Sequence, residues 1–275
     1  MEMLNFIKME GAGNNFVVFS DLEHRFKDLN ALAAKLCDRN FSIGGDGILV
    51  ARSCEEADIE MIIINADGSY ASMCGNGIRC FARFVYEQGL VNKKIFNVLT
   101  GDGVKKCELI FKGEEFEGVK INMGFGDYNP VKIPADTKGE IIERVIEANN
   151  KNYTISSIHL GVPHTVIYVS EEELNVKEGA AIEKHELFKE GTNVNFCRVI
   201  NEGEIKVDTW ERGAGPTLAC GTGCCSSVVI SNRLGLVGDK VKVIAPGGTL
   251  FIELEEQGVM MTGPAKNVFK GVIEV

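Results

Sequence analysis

Met73-Cys74-Gly75-Asn76-Gly77-Ile78-Arg79-Cys80 and Ala219-Cys220-Gly221-Thr222-Gly223-Cys224-Cys225 are two versions of one signature, set 146 residues apart in a chain of 275. Each places a cysteine in front of Gly-x-Gly, and each leads into a segment that reads as a helix. Both helices stop fifteen residues past the cysteine at the same tripeptide, Gly89-Leu90-Val91 and Gly235-Leu236-Val237. The register persists to Thr100-Gly101-Asp102-Gly103 and Pro246-Gly247-Gly248-Thr249, both 26 residues past their cysteine. A duplication of this length predicts two similar units rather than one large domain.

Around these helices the pattern is mostly strand. In the first half, residues 4–9, 16–19, 48–51, 59–65, 95–99 and 106–111 read as strands. Met61-Ile62-Ile63-Ile64 is branched enough to be buried on both faces. A helix is expected over 29–39, from Leu29, Leu32, Ala33, Leu36 and Cys37 at helical spacing. The helix after Cys74 carries Ile78, Phe81, Ala82, Phe84 and Val85, a stripe wide enough to predict enclosure. The second half repeats the plan, with strands expected at 120–123, 154–159, 165–169, 195–200, 204–210, 241–244 and 250–255. Its Cys220 helix is apolar at Val228, Val229 and Leu234. The charge-rich stretch 171–190 reads as a solvated surface segment. The crossing between domains is expected near 113–118, giving domains 1–116 and 117–265, with a last strand at 266–275 returning to the first.

Composition narrows the function. Hydrophobic residues at 45% and charged residues at 25% are those of a globular chain. A net charge of −10 argues against nucleic-acid or anionic-membrane partners, which need basic patches. The absence of a long apolar run predicts no membrane partner and a cytoplasmic protein. Nine cysteines in such a chain read as reduced, with Cys37, Cys54, Cys107 and Cys197 as packing residues.

Cys74 and Cys220 need a separate account. A thiol at a helix start lies in the positive end of the helix dipole, which lowers its pKa. The glycines behind it let a ligand approach the backbone. A carboxylate there would receive N–H donors from Gly75, Asn76, Gly221 and Thr222. One thiol on each side of an α-carbon suits proton transfer between its two faces, so a cofactor-independent racemase or epimerase of a small amino acid is expected. The cysteine spacings do not match a zinc site, and no metal or other cofactor is expected.

Gly11-Ala12-Gly13-Asn14-Asn15-Phe16, Asn65-Ala66-Asp67-Gly68-Ser69, Gly191-Thr192-Asn193-Val194-Asn195-Phe196 and Glu211-Arg212-Gly213-Ala214-Gly215 lie in order with the two cysteine blocks. Together they resemble the diaminopimelate epimerase family over essentially the whole chain. The resemblance implies an α/β fold of two pseudo-symmetric domains. Each would be a curved, mostly antiparallel sheet wrapped around a central helix, with the active site in the interdomain cleft. It implies an isomerase that needs no pyridoxal phosphate and converts LL- to meso-diaminopimelate for lysine and peptidoglycan synthesis. The partners expected are a small amino acid substrate and a second copy of the chain in a homodimer, although the oligomeric state is not read from the sequence. By match to the family motifs, Cys74 and Cys220 are the acid/base pair, and Glu211 and His164 stand near the reacting centre. Asn14, Asn65, Asn193 and Arg212 hold the substrate.

Three positions depart from the family pattern: Asn15, Val162 before Pro163-His164, and Pro216. Val162 replaces an amide that bears on substrate choice, which leaves a racemase of the same fold acting on another amino acid, such as histidine, as the alternative. From other classes, an amino-acid-binding protein and a redox sensor with a Cys74–Cys220 disulfide also compete. Turnover lost on alkylating one thiol would exclude the first, and activity insensitive to reductant the second.

Overall fold

In the computed structural model, which describes residues 2–275, the elements follow one plan twice. The first run is β1 (Met3–Gly11), β2 (Asn14–Ser20), α1 (Leu29–Cys37), β3 (Gly47–Arg52), β4 (Ile59–Asn65), β5 (Tyr70–Ala71), α2 (Gly75–Glu87), β6 (Ile95–Thr100), β7 (Gly103–Lys112) and β8 (Glu115–Asn122). The second begins with β9 (Arg144–Ala148), then β10 (Lys151–Leu160), β11 (Val162–Tyr168), α3 (Gly179–Glu183), β12 (Asn193–Asn201), β13 (Glu204–Glu211), β14 (Gly215–Thr217), α4 (Gly221–Arg233), β15 (Lys240–Ala245) and β16 (Gly248–Glu255). Strands β17 (Gly258–Gly263) and β18 (Lys266–Glu274) close the chain. Two units result: residues 2–121 with 262–275, and residues 122–261.

Pairing inside the two units is the same. In unit 1, β1–β2, β3–β4, β4–β5 and β6–β7 are antiparallel, and β2–β3 and β4–β6 are parallel. In unit 2, β10–β11, β12–β13, β13–β14 and β15–β16 are antiparallel, and β11–β12 and β13–β15 are parallel. Each parallel step needs a crossover, and the helices supply it: α1 and α2 in unit 1, α3 and α4 in unit 2. Strand β18 extends unit 1 along β1, and β9 extends unit 2 along β10.

Each unit therefore has a helix on either face of its sheet. In unit 1, Val17, Phe19, Ile48, Val50 and Ile64 form a core with Leu32, Ala33 and Leu36 of α1. The alternate residues face α2, where Leu49 approaches Gly77. This explains the branched run in β4, which is covered on both faces. Helix α2 touches β1, β2, β3, β4 and β7, so the sheet curves around it, and α4 does the same with β10 to β13, β15 and β16.

The helix ends are locally encoded. Asp28 caps α1 through the Ala31 N–H at 2.9 Å. Gly89 and Gly235 end α2 and α4 with φ of 69° and 72°. In each case the next residue's N–H reaches back, from Leu90 to the Val85 carbonyl and from Leu236 to the Ser231 carbonyl, both at 2.9 Å.

Two expectations need correction. The stretch 171–190 is not a solvated surface segment: it contains a 3₁₀ turn (Val176–Glu178) and α3, and buries Ile182, Leu187 and Phe188 in the core of unit 2. Its charges concealed the apolar spacing, and Glu183 itself is buried. The Glu183 carboxylate accepts from the Trp210 indole N–H at 2.7 Å and the Gly213 N–H at 3.1 Å. Helix α4 is enclosed less by its apolar stripe than by small residues. Cys224, Cys225, Ser226, Ser227 and Ser231 are wholly buried, whereas Val229 and Leu234 are half-exposed. Among the described residues, no helix is long and apolar enough to cross a membrane.

Candidate active site

Cys74 is the N-cap of α2, with extended φ and ψ of −144° and 114°, and its Sγ accepts the Gly77 N–H at 3.2 Å. Cys220 caps α4 in the same way, at −107° and 112°, accepting the Gly223 N–H at 3.4 Å. The cysteine thus replaces the usual hydroxyl or carboxylate cap and is held against the helix start. The Gly75 and Asn76 N–H groups, like those of Gly221 and Thr222, belong to the first turn, where no carbonyl of the same helix can reach them.

In unit 1 the α2 terminus is built into a polar chain. The Asn76 amide donates to the Asn14 Oδ1 at 2.8 Å, and the Asn14 amide donates to Asp46 at 3.1 Å. Asp46 also takes the backbone and side-chain N–H groups of Asn15, at 2.9 and 3.0 Å. This accounts for one departure from the family pattern: an acid at Asn15 would face the Asp46 carboxylate, whereas the amide donates to it. Arg79 is wholly buried behind the same turn, donating to Gly75 O, Asn76 Oδ1 and Pro264 O at 2.9, 2.9 and 3.1 Å. Asn65 lies at the end of β4 and is exposed, its amide on Ser69 Oγ at 3.0 Å in a local turn.

In unit 2 the structure gathers six of the expected residues. Cys220 Sγ lies 3.4 Å from Thr222 Oγ1. The Glu211 carboxylate accepts from Thr217 Oγ1 at 2.6 Å and acts electrostatically on the Cys220 sulfur. Asn193, paired in register with His164, donates to Pro163 O and accepts the Arg212 N–H, both at 2.9 Å. The backbone thus engages one N–H and one lone pair of its amide. The Arg212 guanidinium is exposed and donates to Glu190 O at 2.9 Å. Val162 opens β11 as Asn14 opens β2, and Pro216 lies in the short β14, which pairs with β13.

The expectation of a lowered thiol pKa fails at Cys220. Burial drives this pKa up, the Glu211 charge adds to the rise, and the bonds from Thr222 and Gly223 only partly oppose it. Cys220 is therefore held as the thiol. Burial also raises Glu211, against the Thr217 bond. His164 moves the other way, down to about 3, because burial, then His159 and Arg212, disfavour its cation.

That shift has a measurable consequence. Folded His164 stays unprotonated down to about pH 3, whereas in the unfolded chain it binds a proton below its ordinary value of 6.5. Between those limits the unfolded state holds more protons, so stability falls as pH falls, by at most about 1.4 kcal/mol per unit from this group. Urea unfolding at about pH 7 and about pH 5 should show wild type losing more stability than His164→Gln. Equal losses would contradict the assignment.

Sequence reasoning missed Asn195, Arg79, Asp46 and Glu183. Arg79 carried a signal in its four-residue spacing from Gly75 along one helix face. The other three act between segments far apart in sequence, where local spacing says little.

A family model for diaminopimelate epimerase matches residues 6–128 and 156–268. The chain is 52% identical over 269 residues to the diaminopimelate epimerase of Clostridium perfringens, covering 98% of each chain. It is 46% identical to that of Alkaliphilus metalliredigens, covering 98% of this chain and 97% of the relative. The fold is also that of a phenazine biosynthesis protein from Bacillus anthracis, at a TM-score of 0.73 and 12% identity over all of both chains. A hydroxyproline epimerase from Agrobacterium vitis aligns at a TM-score of 0.70 and 14% identity, over 98% of this chain and 92% of its own.

Proposed function

The chain belongs to the diaminopimelate epimerase family, and on that premise we propose that it interconverts LL- and meso-diaminopimelate by passing a proton between two thiols. The observation that carries the mechanism is the repeated helix start, with Cys74 and Cys220 as N-caps of equivalent helices in equivalent units. A substrate α-carboxylate takes N–H donors from Gly75, Asn76, Gly221 and Thr222. With Cys220 as the thiol, Cys74 as thiolate removes the α-proton from one face, and Cys220 returns a proton to the other. The product leaves Cys74 protonated and Cys220 ionised, which is the state the reverse reaction needs. Glu211, beside Cys220, biases where that proton rests.

Arg212 binds the distal carboxylate through its fork, and Asn14, Asn65 and Asn193 complete the polar end of the site. The exposed apolar Val268, Phe269 and Val272 on β18 support assembly as a homodimer. A racemase acting on histidine is not favoured, since relatives 40–52% identical over nearly the whole chain carry the diaminopimelate name.

The test is α-proton exchange in D₂O, under reductant and without added cofactor, on LL- and meso-diaminopimelate, L-histidine and L-lysine. Deuterium uptake confined to diaminopimelate, with the two forms interconverting, is expected. Uptake on histidine alone would move the function to the racemase, and no uptake on any would overturn the catalytic reading.

A further inference from the structure

Asn195 is wholly buried in the middle of unit 2, on β12, and each end of its amide has a partner of known character. Its Nδ2 lies 3.2 Å from the backbone carbonyl of Thr165. A carbonyl oxygen can only accept, so the amide must present its nitrogen there and its oxygen on the other side. That oxygen takes the Thr209 hydroxyl at 3.0 Å. The orientation of the side chain is thereby determined by chemistry rather than by choice.

The same Nδ2 lies 3.2 Å from His164 Nδ1. An amide N–H facing Nδ1 requires a lone pair on that nitrogen, because a proton there would set donor against donor. The ring is then neutral, with its proton on Nε2. His164 is itself wholly buried, and its Nε2 has no hydrogen-bond partner among the described residues. We infer that Asn195 is a positioning residue that holds His164 as the Nε2–H tautomer and so reserves that N–H as a neutral donor to the bound substrate.

The placement favours this over a purely structural role. His164 pairs in register with Asn193, whose Oδ1 holds the Arg212 backbone, and Arg212 is close enough to disfavour a charged imidazole. On its other side Asn195 abuts the start of α4: a Cβ built on Gly223 would lie 2.2 Å from Asn195 Oδ1. One amide thus joins the histidine to the helix end that carries Cys220. A buried N–H without a partner is uncommon in a folded protein and calls for an explanation, which a contact to the bound substrate supplies. In this tautomer His164 cannot take the α-proton at Nε2, which leaves that task to the thiols. The inference rests on the proposed function for the identity of the substrate, although the tautomer itself does not.

Two measurements test it. In wild-type protein labelled with ¹⁵N at histidine, the His164 Nδ1 resonance is expected at the unprotonated position and Nε2 at the protonated one, unchanged across neutral pH. A protonated Nδ1, or averaging of the two forms, would overturn the assignment. In Asn195→Leu, which keeps the bulk and removes the donor, kcat is expected to fall about 30-fold with KM changed less than about threefold, and the tautomers to mix. Wild-type kcat in a folded Asn195→Leu would overturn the positioning role. A wild-type protein inactive on diaminopimelate would instead defeat the proposed function, and the NMR result would stand apart from it.

Discussion

Replacing Cys74 or Cys220 by alanine is expected to lower epimerisation by at least about 10³-fold in either variant, because each thiol is one half of a two-base transfer. Serine offers the control that separates this loss from a loss of folding. A serine hydroxyl keeps the acceptor that each cysteine provides to the third N–H of its helix, at 3.2 Å from Gly77 and 3.4 Å from Gly223. Cys→Ser should therefore match wild type in thermal stability, while alanine loses about 1 kcal/mol with the cap. Serine should nonetheless be nearly as inactive as alanine, because its hydroxyl does not ionise at working pH. The check is steady-state turnover with LL-diaminopimelate beside a melting curve for each variant. Near-wild-type turnover in any one of the four would defeat the two-thiol mechanism.

The second large effect comes from Gly223→Ala. A Cβ there would stand 2.2 Å from Asn195 Oδ1, and Asn195 is held by Thr209, Thr165 and His164, so it cannot retreat without breaking bonds. Overpacking and a disrupted buried amide each cost about 1–3 kcal/mol, so a loss of about 3 kcal/mol is expected, together with most of the turnover. The matching change in unit 1 should be mild. At Gly77 the nearest atoms are Cys74 Cβ and Leu49 Cδ2, at 3.2 and 3.3 Å, and alanine's better helix propensity, worth about 0.5–1 kcal/mol, offsets much of the crowding. Urea titrations of both variants check the contrast. Equal stability losses would show that Asn195 is not the obstacle.

Parts of the site differed in how far the sequence announced them. The thiols were legible because a helix start is local: a cap, two glycines and a Gly stop all lie within one helix length, and the duplication shows them twice. Asn65 and Glu211, at equivalent positions of the repeat at the ends of β4 and β13, were legible only through the family motifs around them. Segment 171–190 was misread because its glutamates outnumber Ile182, Leu187 and Phe188, and charge count masks a short buried turn. Glu183 looked like solvent-facing charge until Trp210 and Gly213, far along the chain, supplied its donors.

The chain's own order of residues determined the duplication, the helix boundaries, the two capping thiols and the family, all of which depend on neighbours a few positions apart. Tertiary structure alone decided the protonation of the groups that would use them. Burial and then Glu211 push the Cys220 thiol up against the bonds from Thr222 and Gly223, and His164 is held neutral because β11 and β12 bury it beside an amide donor. Desolvation and hydrogen-bond polarity depend on what packs around a group, and those neighbours are brought together only when the strands pair.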